Sequence, residues 1–112
     1  MQIAVETLPQ GATKVVLRGR MDTTGAVLIE LPFNTVAAEQ RAIVVDLSAV
    51  DFLSSYGIRV LLVGAKLAKS KGGKLAIVCP DNNIAKVLNT TGMNELIPTF
   101  QDENAALAAV RS

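Results

Sequence analysis

The run Ala42–Leu47 (AIVVDL) constrains the fold of this chain more than any other stretch. It has the length of one β-strand and is apolar except for Asp46. Such a run is typical of a central strand that is covered on both faces, which requires helices on both sides of a sheet. A second run, Leu75–Cys79, has the same character and is stopped by Pro80. The two runs therefore predict two buried strands.

The rest of the chain alternates between strand-like and helix-like segments. Two β-rich segments, Ile3–Thr7 and Thr13–Arg18, are separated by turn residues and predict a hairpin. The spacing of apolar residues, the capping residues and the glycines or prolines that stop helices predict four helices. One begins at about Thr24, and the others are Tyr56–Lys71, Asp81–Asn89 and Asp102–Val110. A short strand is predicted at Leu96–Ile97. Alternating strands and helices imply right-handed crossovers and a largely parallel sheet, so we expect one α/β domain over residues 1–112.

The first predicted helix contains a proline. Helical spacing assigns to its apolar side Val27, Leu28, Leu31, Thr35 and Ala38. Pro32 removes one backbone hydrogen bond, and its ring clashes with the carbonyl of Leu28. We therefore expect a kink at Pro32 or two short helical segments.

The composition argues against several classes of protein. Half of the 112 residues are hydrophobic but only 4% are aromatic, so one domain with an aliphatic core is expected. The net charge of +1 includes no block of like charge, so we expect no direct binding to nucleic acid. The N-terminus does not resemble a signal peptide, and no apolar run is long enough for a membrane span. The single cysteine, Cys79, cannot form an internal disulfide, which favours a cytoplasmic protein.

The chain contains no histidine, and this limits the chemistry it can perform. Ser-His-Asp and Cys-His catalysis are excluded, as are metal sites with histidine ligands. A Gly-x-x-x-x-Gly-Lys-Ser/Thr nucleotide loop is also missing. We therefore expect neither a catalytic site, nor a metal site, nor a resident cofactor.

The stretch Asp51–Val63 (DFLSSYGIRVLLV) leads from the end of a strand region into a buried helix. It presents Ser54 and Ser55 at the helix N-terminus, where unpaired N–H groups and the helix dipole favour a hydroxyl cap or a phosphate. One interpretation is that a serine only caps the helix. The other is that Ser55 accepts a phosphate, which would add about −1.5 to −2 charges.

Asp22 and Asp46 each lie at the C-terminal end of a predicted strand. In open α/β sheets this is the edge where ligand crevices form, and the turn that holds Ser55 lies on the same edge. The two carboxylates could therefore orient a serine hydroxyl or position a magnesium ion that arrives with ATP. Alternatively, Asp22 caps the first helix and Asp46 caps the turn before Ser48.

Tyr56, Ile58 and Arg59 begin the helix that follows the two serines. If they are exposed, they are suited to a protein interface, because tyrosine and arginine are enriched at interface hot spots. The alternative is that Ile58 packs in the core and Arg59 is simply solvated.

Four segments in order resemble the STAS family, and within it the bacterial anti-sigma factor antagonists. The segment 19–22 (GRMD) is similar to the Gly-x-Leu-Asp that follows the second strand of the family, and 43–52 (IVVDLSAVDF) is similar to its central strand and turn. The segment 53–62 (LSSYGIRVLL) is similar to its switch motif, and 90–93 (TTGM) is similar to its late Thr-Gly-Leu. The resemblance as a whole extends over nearly the whole chain.

The resemblance implies a mixed, mostly parallel sheet of four or five strands with about four helices. It also implies a partner, an anti-sigma factor that is itself a serine kinase, which the unphosphorylated antagonist sequesters so that a sigma factor is released. Phosphorylation would break this complex and a serine phosphatase would restore it. The accepting serine maps onto Ser55, and the family aspartate near the phosphorylation site maps onto Asp22.

The switch motif departs from the best-known pattern at one position. Ser54 stands where well-known members have aspartate, which makes Ser54 a second candidate acceptor. Two other hypotheses remain at this stage. One is a STAS subunit that regulates a lipid or anion transporter, and the other is a small enzyme that uses Asp22, Asp46 and Ser55.

Overall fold

The protein is described by a computed structural model that covers residues 1–111, with residues 10 and 94 described in their backbone only. The first half of this range forms strand β1 (Gln2–Thr7), a 3-10 turn (Pro9–Gly11), strand β2 (Thr13–Met21), helix α1 (Thr23–Glu39) and strand β3 (Ala42–Leu53). The second half forms helix α2 (Ser55–Ser70), strand β4 (Lys74–Val78), helix α3 (Asn82–Thr90), the one-turn helix α4 (Met93–Leu96), strand β5 (Thr99–Phe100) and helix α5 (Glu103–Arg111).

The strands form one sheet in the order β1-β2-β3-β4-β5. β1 and β2 form the predicted antiparallel hairpin, and every later pairing is parallel. The predicted class, an α/β fold with a mixed and mostly parallel sheet, is therefore confirmed. Parallel neighbours need crossover connections, and α1, α2 and the α3–α4 segment supply them.

Alternate residues of β3 enter two different cores. Ile43 and Val45 face α1, α2 and α3, whereas Val44 faces α5 together with Ala76 and Val78 of β4. Because successive side chains of a strand point to opposite faces, a strand between two helical layers must be apolar on both sides. This explains the apolar run that begins at Ala42.

Helix α1 differs from the prediction in two respects. It continues through Pro32 as one helix and is not divided into two segments. Pro32 and Leu28 both lie on the exposed side, so the carbonyl that loses its partner can be solvated. The predicted apolar side is also wrong, because the residues that enter the core are Ala26, Ile29, Phe33 and Ala37.

The packing of α1 against α2 decides which side of α1 is buried. A Cβ atom added at Gly64 of α2 would lie 2.3 Å from Cε2 of Phe33, so the glycine creates the space that the ring occupies. The only charged residues of α1 are Glu30 and Glu39, so the sequence pattern of this helix is nearly apolar all round and does not identify one face.

The short strand near the C-terminus also lies elsewhere than predicted. Leu96 ends α4, and the strand is formed by Thr99 and Phe100. The backbone N–H of Ile77 donates to the Pro98 carbonyl at 2.9 Å, and that of Cys79 donates to the Phe100 carbonyl at 2.8 Å. The pairing with β4 therefore begins at the carbonyl of Pro98, and Leu96 and Ile97 precede it.

Candidate functional site

The ends of β2 and β3 bring the starts of α1 and α2 together at one edge of the sheet. The backbone N–H of Ser54 donates to the carbonyl of Met21 at 2.9 Å. One turn into α2, a Cβ atom added at Gly57 would lie 2.9 Å from Cγ of Met21, so glycine allows the helix start to approach β2 closely. Asp22 follows Met21 directly and begins α1. The two helix N-termini are therefore neighbours.

The two serines occupy different positions at the start of α2. Ser54 is the N-cap, with its Oγ accepting from the backbone N–H of Gly57 at 3.1 Å. Ser55 is the first helical residue and is exposed, and its hydroxyl forms no hydrogen bond with another residue of the part described. The cap function thus belongs to Ser54, while Ser55 presents an accessible hydroxyl at the positive end of the helix dipole.

Asp22 is the N-cap of α1. Its Oδ1 accepts from the backbone N–H of Gly25 at 2.7 Å, and its Oδ2 lies 3.6 Å from Nε of Arg20. The guanidinium of Arg20 in turn lies over the ring of Phe52, 3.9 Å from its centroid, which is a cation–π contact. The aspartate therefore caps a helix and also belongs to a charged cluster beside the serines.

The sequence did not identify Arg20 and Phe52 as members of this site. Arg20 of β2 and Phe52 of β3 lie opposite each other in the parallel pairing of the two strands. Each residue comes shortly before the helix that follows its strand. Two register irregularities precede this pair, so alternation along either strand does not predict that these two side chains meet. An arginine and an aromatic residue at corresponding strand ends were the only available signal.

Asp46 does not belong to the surroundings of Ser55, and this prediction is wrong. β3 continues to Leu53, which places Asp46 in the middle of the strand, about 23 Å before its end at roughly 3.3 Å per residue. Its Oδ1 accepts from the backbone N–H of Ser48 at 2.8 Å, which is the partner of the alternative interpretation, but the contact lies within the strand and not before a turn.

The carboxylate of Asp46 also belongs to an ion cluster on the α5 face of the sheet. Nζ of Lys14 lies 3.6 Å from Asp46 Oδ2 and 2.5 Å from Glu103 Oε1. The hydrogen bond to Glu103, more than the Asp46 charge, raises the pKa of Lys14. The cluster connects β2, β3 and the start of α5, and it is structural.

The three predicted interface residues separate into different roles. The hydroxyl of Tyr56 donates to Oε1 of Glu30 at 2.6 Å, which ties the first turn of α2 to the second turn of α1. Ile58 is half-buried and packs against the core. Of the three, only Arg59 is exposed. The expected group of three exposed side chains is therefore corrected to Arg59 alone.

The contact between Tyr56 and Glu30 gives a titration that can be measured directly. The hydrogen bond to Glu30 is the main cause that raises the pKa of Tyr56 above its ordinary value of 10.0. A folded-state pKa above the unfolded value means that the contact stabilises the fold below about pH 10, and that this contribution is lost as the phenol ionises at higher pH.

We expect Glu30→Gln to lower the pKa of Tyr56 toward its ordinary value. The chain has one tyrosine and no tryptophan, so an alkaline absorbance titration reports this residue alone. Glu39→Gln, which removes an exposed carboxylate of the same helix, is the matched control and should leave the titration unchanged. Identical titrations for the wild type and Glu30→Gln would contradict the assignment.

Cys79 is not suited to act as a nucleophile. It is buried, and burial raises the pKa of its thiol to about 11. Its Sγ makes a weak contact with the carbonyl of Asp81 at 3.7 Å. Since the thiolate is the reactive form, the thiol is inert at neutral pH. The burial of Cys79 agrees with the prediction that the run Leu75–Cys79 is buried.

The site is thus an accessible hydroxyl at a capped helix start beside a charged cluster. The model of the STAS domain family matches residues 3–106, and the chain therefore belongs to the STAS family. None of the helices formed by residues 1–111 is long and apolar enough to cross a membrane.

Individual relatives cover most of the chain. It is 30% identical over 103 residues to the anti-sigma-F factor antagonist RsfB of Mycobacterium tuberculosis, covering 90% of this chain and 83% of that protein. It is 25% identical over 100 residues to an anti-sigma F factor antagonist of Paenibacillus polymyxa, covering 88% and 86%. The crystal structure of an anti-sigma factor antagonist from Mycobacterium paratuberculosis superposes with a TM-score of 0.82 at 30% identity, over 99% of this chain and 94% of that one.

Proposed function

We propose that this protein is an anti-sigma factor antagonist whose binding to an anti-sigma factor is controlled by phosphorylation of Ser55. The observation that supports this most directly is the division of roles at the start of α2, where Ser54 caps the helix and Ser55 stays exposed. The relatives of 25–30% identity are named as anti-sigma F factor antagonists, which favours this function over a transporter subunit. The protein would act in the cytoplasm as a binding protein without catalytic activity of its own.

The partner in this proposal is an anti-sigma factor that is also a serine kinase. The kinase transfers the γ-phosphoryl group of ATP to Oγ of Ser55, so that a new P–O bond forms, the bond to ADP breaks and the hydroxyl proton leaves. A serine phosphatase reverses the modification by hydrolysis. Ser55 is the phosphoryl acceptor in the first reaction, and phosphorylated Ser55 is the substrate of the second, which releases the serine and inorganic phosphate.

A phosphate on Ser55 would change the surface without unfolding the domain. The modification adds about −1.5 to −2 charges at the positive end of α2, where the helix dipole stabilises an anion. Arg59 is exposed one turn later, in the i+4 position at which a cation pairs well with a preceding anion. The nearby carboxylate of Asp22 would contribute negative potential to the same edge. The result is a strongly altered docking surface on an intact fold.

Mapping of the transferred phosphate tests the acceptor. Incubation with ATP and the serine-kinase anti-sigma factors of the source organism should phosphorylate wild-type protein at Ser55, as read by mass spectrometry. Ser55→Ala should abolish the modification. Ser54→Ala should still accept phosphate at Ser55, although loss of the cap should cost about 1 kcal/mol of stability.

The same experiment distinguishes the serines. Phosphate on Ser54 in the wild-type protein would overturn the assignment of the acceptor. Phosphate on neither serine, with every candidate kinase shown to be active, would overturn the proposed control. Co-purification with a transport ATPase or permease, in place of a soluble kinase, would favour the transporter subunit.

A further inference from the structure

A groove lies beside the first residues of β4, where the two-residue strand β5 does not cover the edge of the sheet. It is lined by Leu75 of β4, by Ala65 and Lys69 of α2 and by Val110 of α5. Leu96, an apolar residue that is 64% exposed, also lines it. We call this space the β4 groove. Because α2 and α5 cover opposite faces of the sheet, the groove continues the layer of the sheet between two helices.

Pro98 explains why β5 stops short of the β4 groove. The N–H of Lys74 donates to the Arg41 carbonyl at 2.7 Å on one side of β4, and that of Ile77 donates to the Pro98 carbonyl at 2.9 Å on the other. By alternation along the strand, Leu75 directs its N–H and C=O to the same side as Ile77. The parallel pattern would give the Leu75 carbonyl the N–H of residue 98 as its donor, which proline lacks. Neither backbone group of Leu75 has a hydrogen-bond partner among the residues described.

The side of α2 that borders the groove is basic. Leu62, Ala65, Lys66 and Lys69 lie within about 100° of the helix circumference, and they also line a second depression that continues the groove along α2. Lys66 and Lys69 are exposed, and neither forms an ion pair within the described part of the chain. Lys74, also exposed, lines the groove at β4. No acidic residue of the described chain lines either part, so the groove favours an anionic occupant.

The size of the groove and its unpaired backbone groups favour a peptide over a small molecule. The two depressions measure about 160 and 150 Å³, whereas a pocket for a drug-sized ligand holds about 300–1,000 Å³. An extended peptide needs no deep cavity, because its own N–H and C=O groups can pair with those of Leu75. Its successive side chains point to opposite faces, toward the lysines of α2 and toward Val110 of α5. The groove therefore matches alternating acidic and apolar residues.

We propose that the β4 groove binds an acidic, extended peptide segment of a partner protein, which adds to the sheet beside β4. The backbone of the segment pairs with the N–H and C=O of Leu75, and its carboxylates pair with Lys66 and Lys69. Its apolar side chains cover Leu96 and the adjoining surface of α5. Addition of a strand at a free sheet edge combines affinity from the main chain with selection by the side chains.

The β4 groove is remote from Ser55. β4 begins beside the start of β3, where Lys74 pairs with Ala42, whereas Ser55 follows the opposite end of β3 at Leu53. The inference therefore goes beyond the proposed function and does not depend on it. We expect the groove to bind its peptide whether or not Ser55 carries a negative charge.

A synthetic peptide of three Glu-Val repeats with both ends capped is the probe. Titrated into ¹⁵N-labelled protein, it should shift the NMR signals of Leu75 and of the neighbouring residues of the groove. A capped peptide of three Lys-Val repeats should bind at least about tenfold more weakly, because it meets like charges. A Glu-Val peptide with methylated backbone nitrogens keeps its side chains but cannot donate hydrogen bonds, so it should not bind measurably.

Lys66→Glu and Lys69→Glu test the basic side of the groove, and each should weaken binding of the Glu-Val peptide by about tenfold. Lys86→Glu makes the same change at an exposed position of α3 that does not line the groove, and it should bind like the wild type. Ser55→Asp should also bind like the wild type. Circular dichroism verifies that all four variants are folded.

Three results would overturn the proposal and leave control by Ser55 untouched. The first is a Glu-Val peptide that does not shift the signal of Leu75. The second is equal binding of the methylated or the Lys-Val peptide, which would exclude strand addition or selection by charge. The third is a shift of the groove signals by octanoate but by neither peptide, which would make the groove a site for small amphiphilic anions.

Discussion

Replacement of Ser55 with aspartate is expected to weaken binding of the anti-sigma factor by about 100-fold or more. The substitution introduces a permanent negative charge on the exposed first residue of α2, where the proposed partner approaches a neutral hydroxyl. A charge that becomes desolvated in an interface, and to which the partner offers no counter-charge, costs several kcal/mol, and about 2.7 kcal/mol corresponds to a factor of 100. Calorimetric titration of the purified anti-sigma factor with each variant measures the effect.

Two controls separate the position of the charge from its mere presence. Ser55→Ala removes the phosphate acceptor without adding charge, so it should bind the anti-sigma factor about as tightly as the wild type. Its complex should also remain intact when ATP is added, because Ser55 can no longer be phosphorylated. Asn89→Asp adds one negative charge to an exposed position of α3 and should leave the affinity nearly unchanged. Full-strength binding of Ser55→Asp would contradict control at this residue, and equal loss in Asn89→Asp would indicate a nonspecific effect of net charge.

Phe33→Ala is expected to cost about 3–5 kcal/mol in the free energy of unfolding, the largest stability effect we predict. The ring is fully buried between α1 and α2, and its edge fills the space above Gly64. Truncation leaves a cavity in the middle of this contact, because the glycine has no side chain with which to fill it. Denaturation with urea, monitored by circular dichroism, gives the free energy directly.

Leu31→Ala in the same helix is the matched control for Phe33→Ala. Leu31 is 76% exposed, so its truncation should change the free energy of unfolding by no more than about 0.5 kcal/mol. The comparison also tests the corrected orientation of α1. If Leu31→Ala were as costly as Phe33→Ala, the helix would be buried on the side that helical spacing first indicated.

The site could be predicted only in part from the sequence, and the reason differs from residue to residue. That Ser54 and Ser55 lie at a helix start follows from local signals, namely the hydroxyls before Gly57 and the apolar helical pattern after it. That Ser54 is the cap and Ser55 the exposed residue follows from where the helix begins, and such a boundary cannot be located within one residue from sequence.

Asp46 illustrates a different kind of failure. The sequence indicates a strand around it, but not that the strand continues for seven more residues to Leu53. The end of β3 is set by its pairing with β2, which extends to Met21 opposite Leu53. The same long-range register brings Arg20 opposite Phe52, a contact that no local pattern predicts.

The sequence by itself determined the order of strands and helices and the type of sheet that they form. The apolar runs at Ala42 and Leu75 required a sheet covered on both faces, and the alternation with helices made it mostly parallel. The stretch from Asp51 to Val63 also placed two serines at the entrance of a helix, because caps and periodicity are local properties of the chain.

Only the tertiary structure decided which side of α1 is exposed to solvent. Phe33 packs over Gly64 and so turns Val27, Leu28 and Leu31 to solvent. An apolar helix can bury any of its sides equally well by its own pattern, and the shape of its neighbour makes the choice. The exposed apolar side of α1 is therefore a result of the packing between α1 and α2, and the sequence of α1 alone does not determine it.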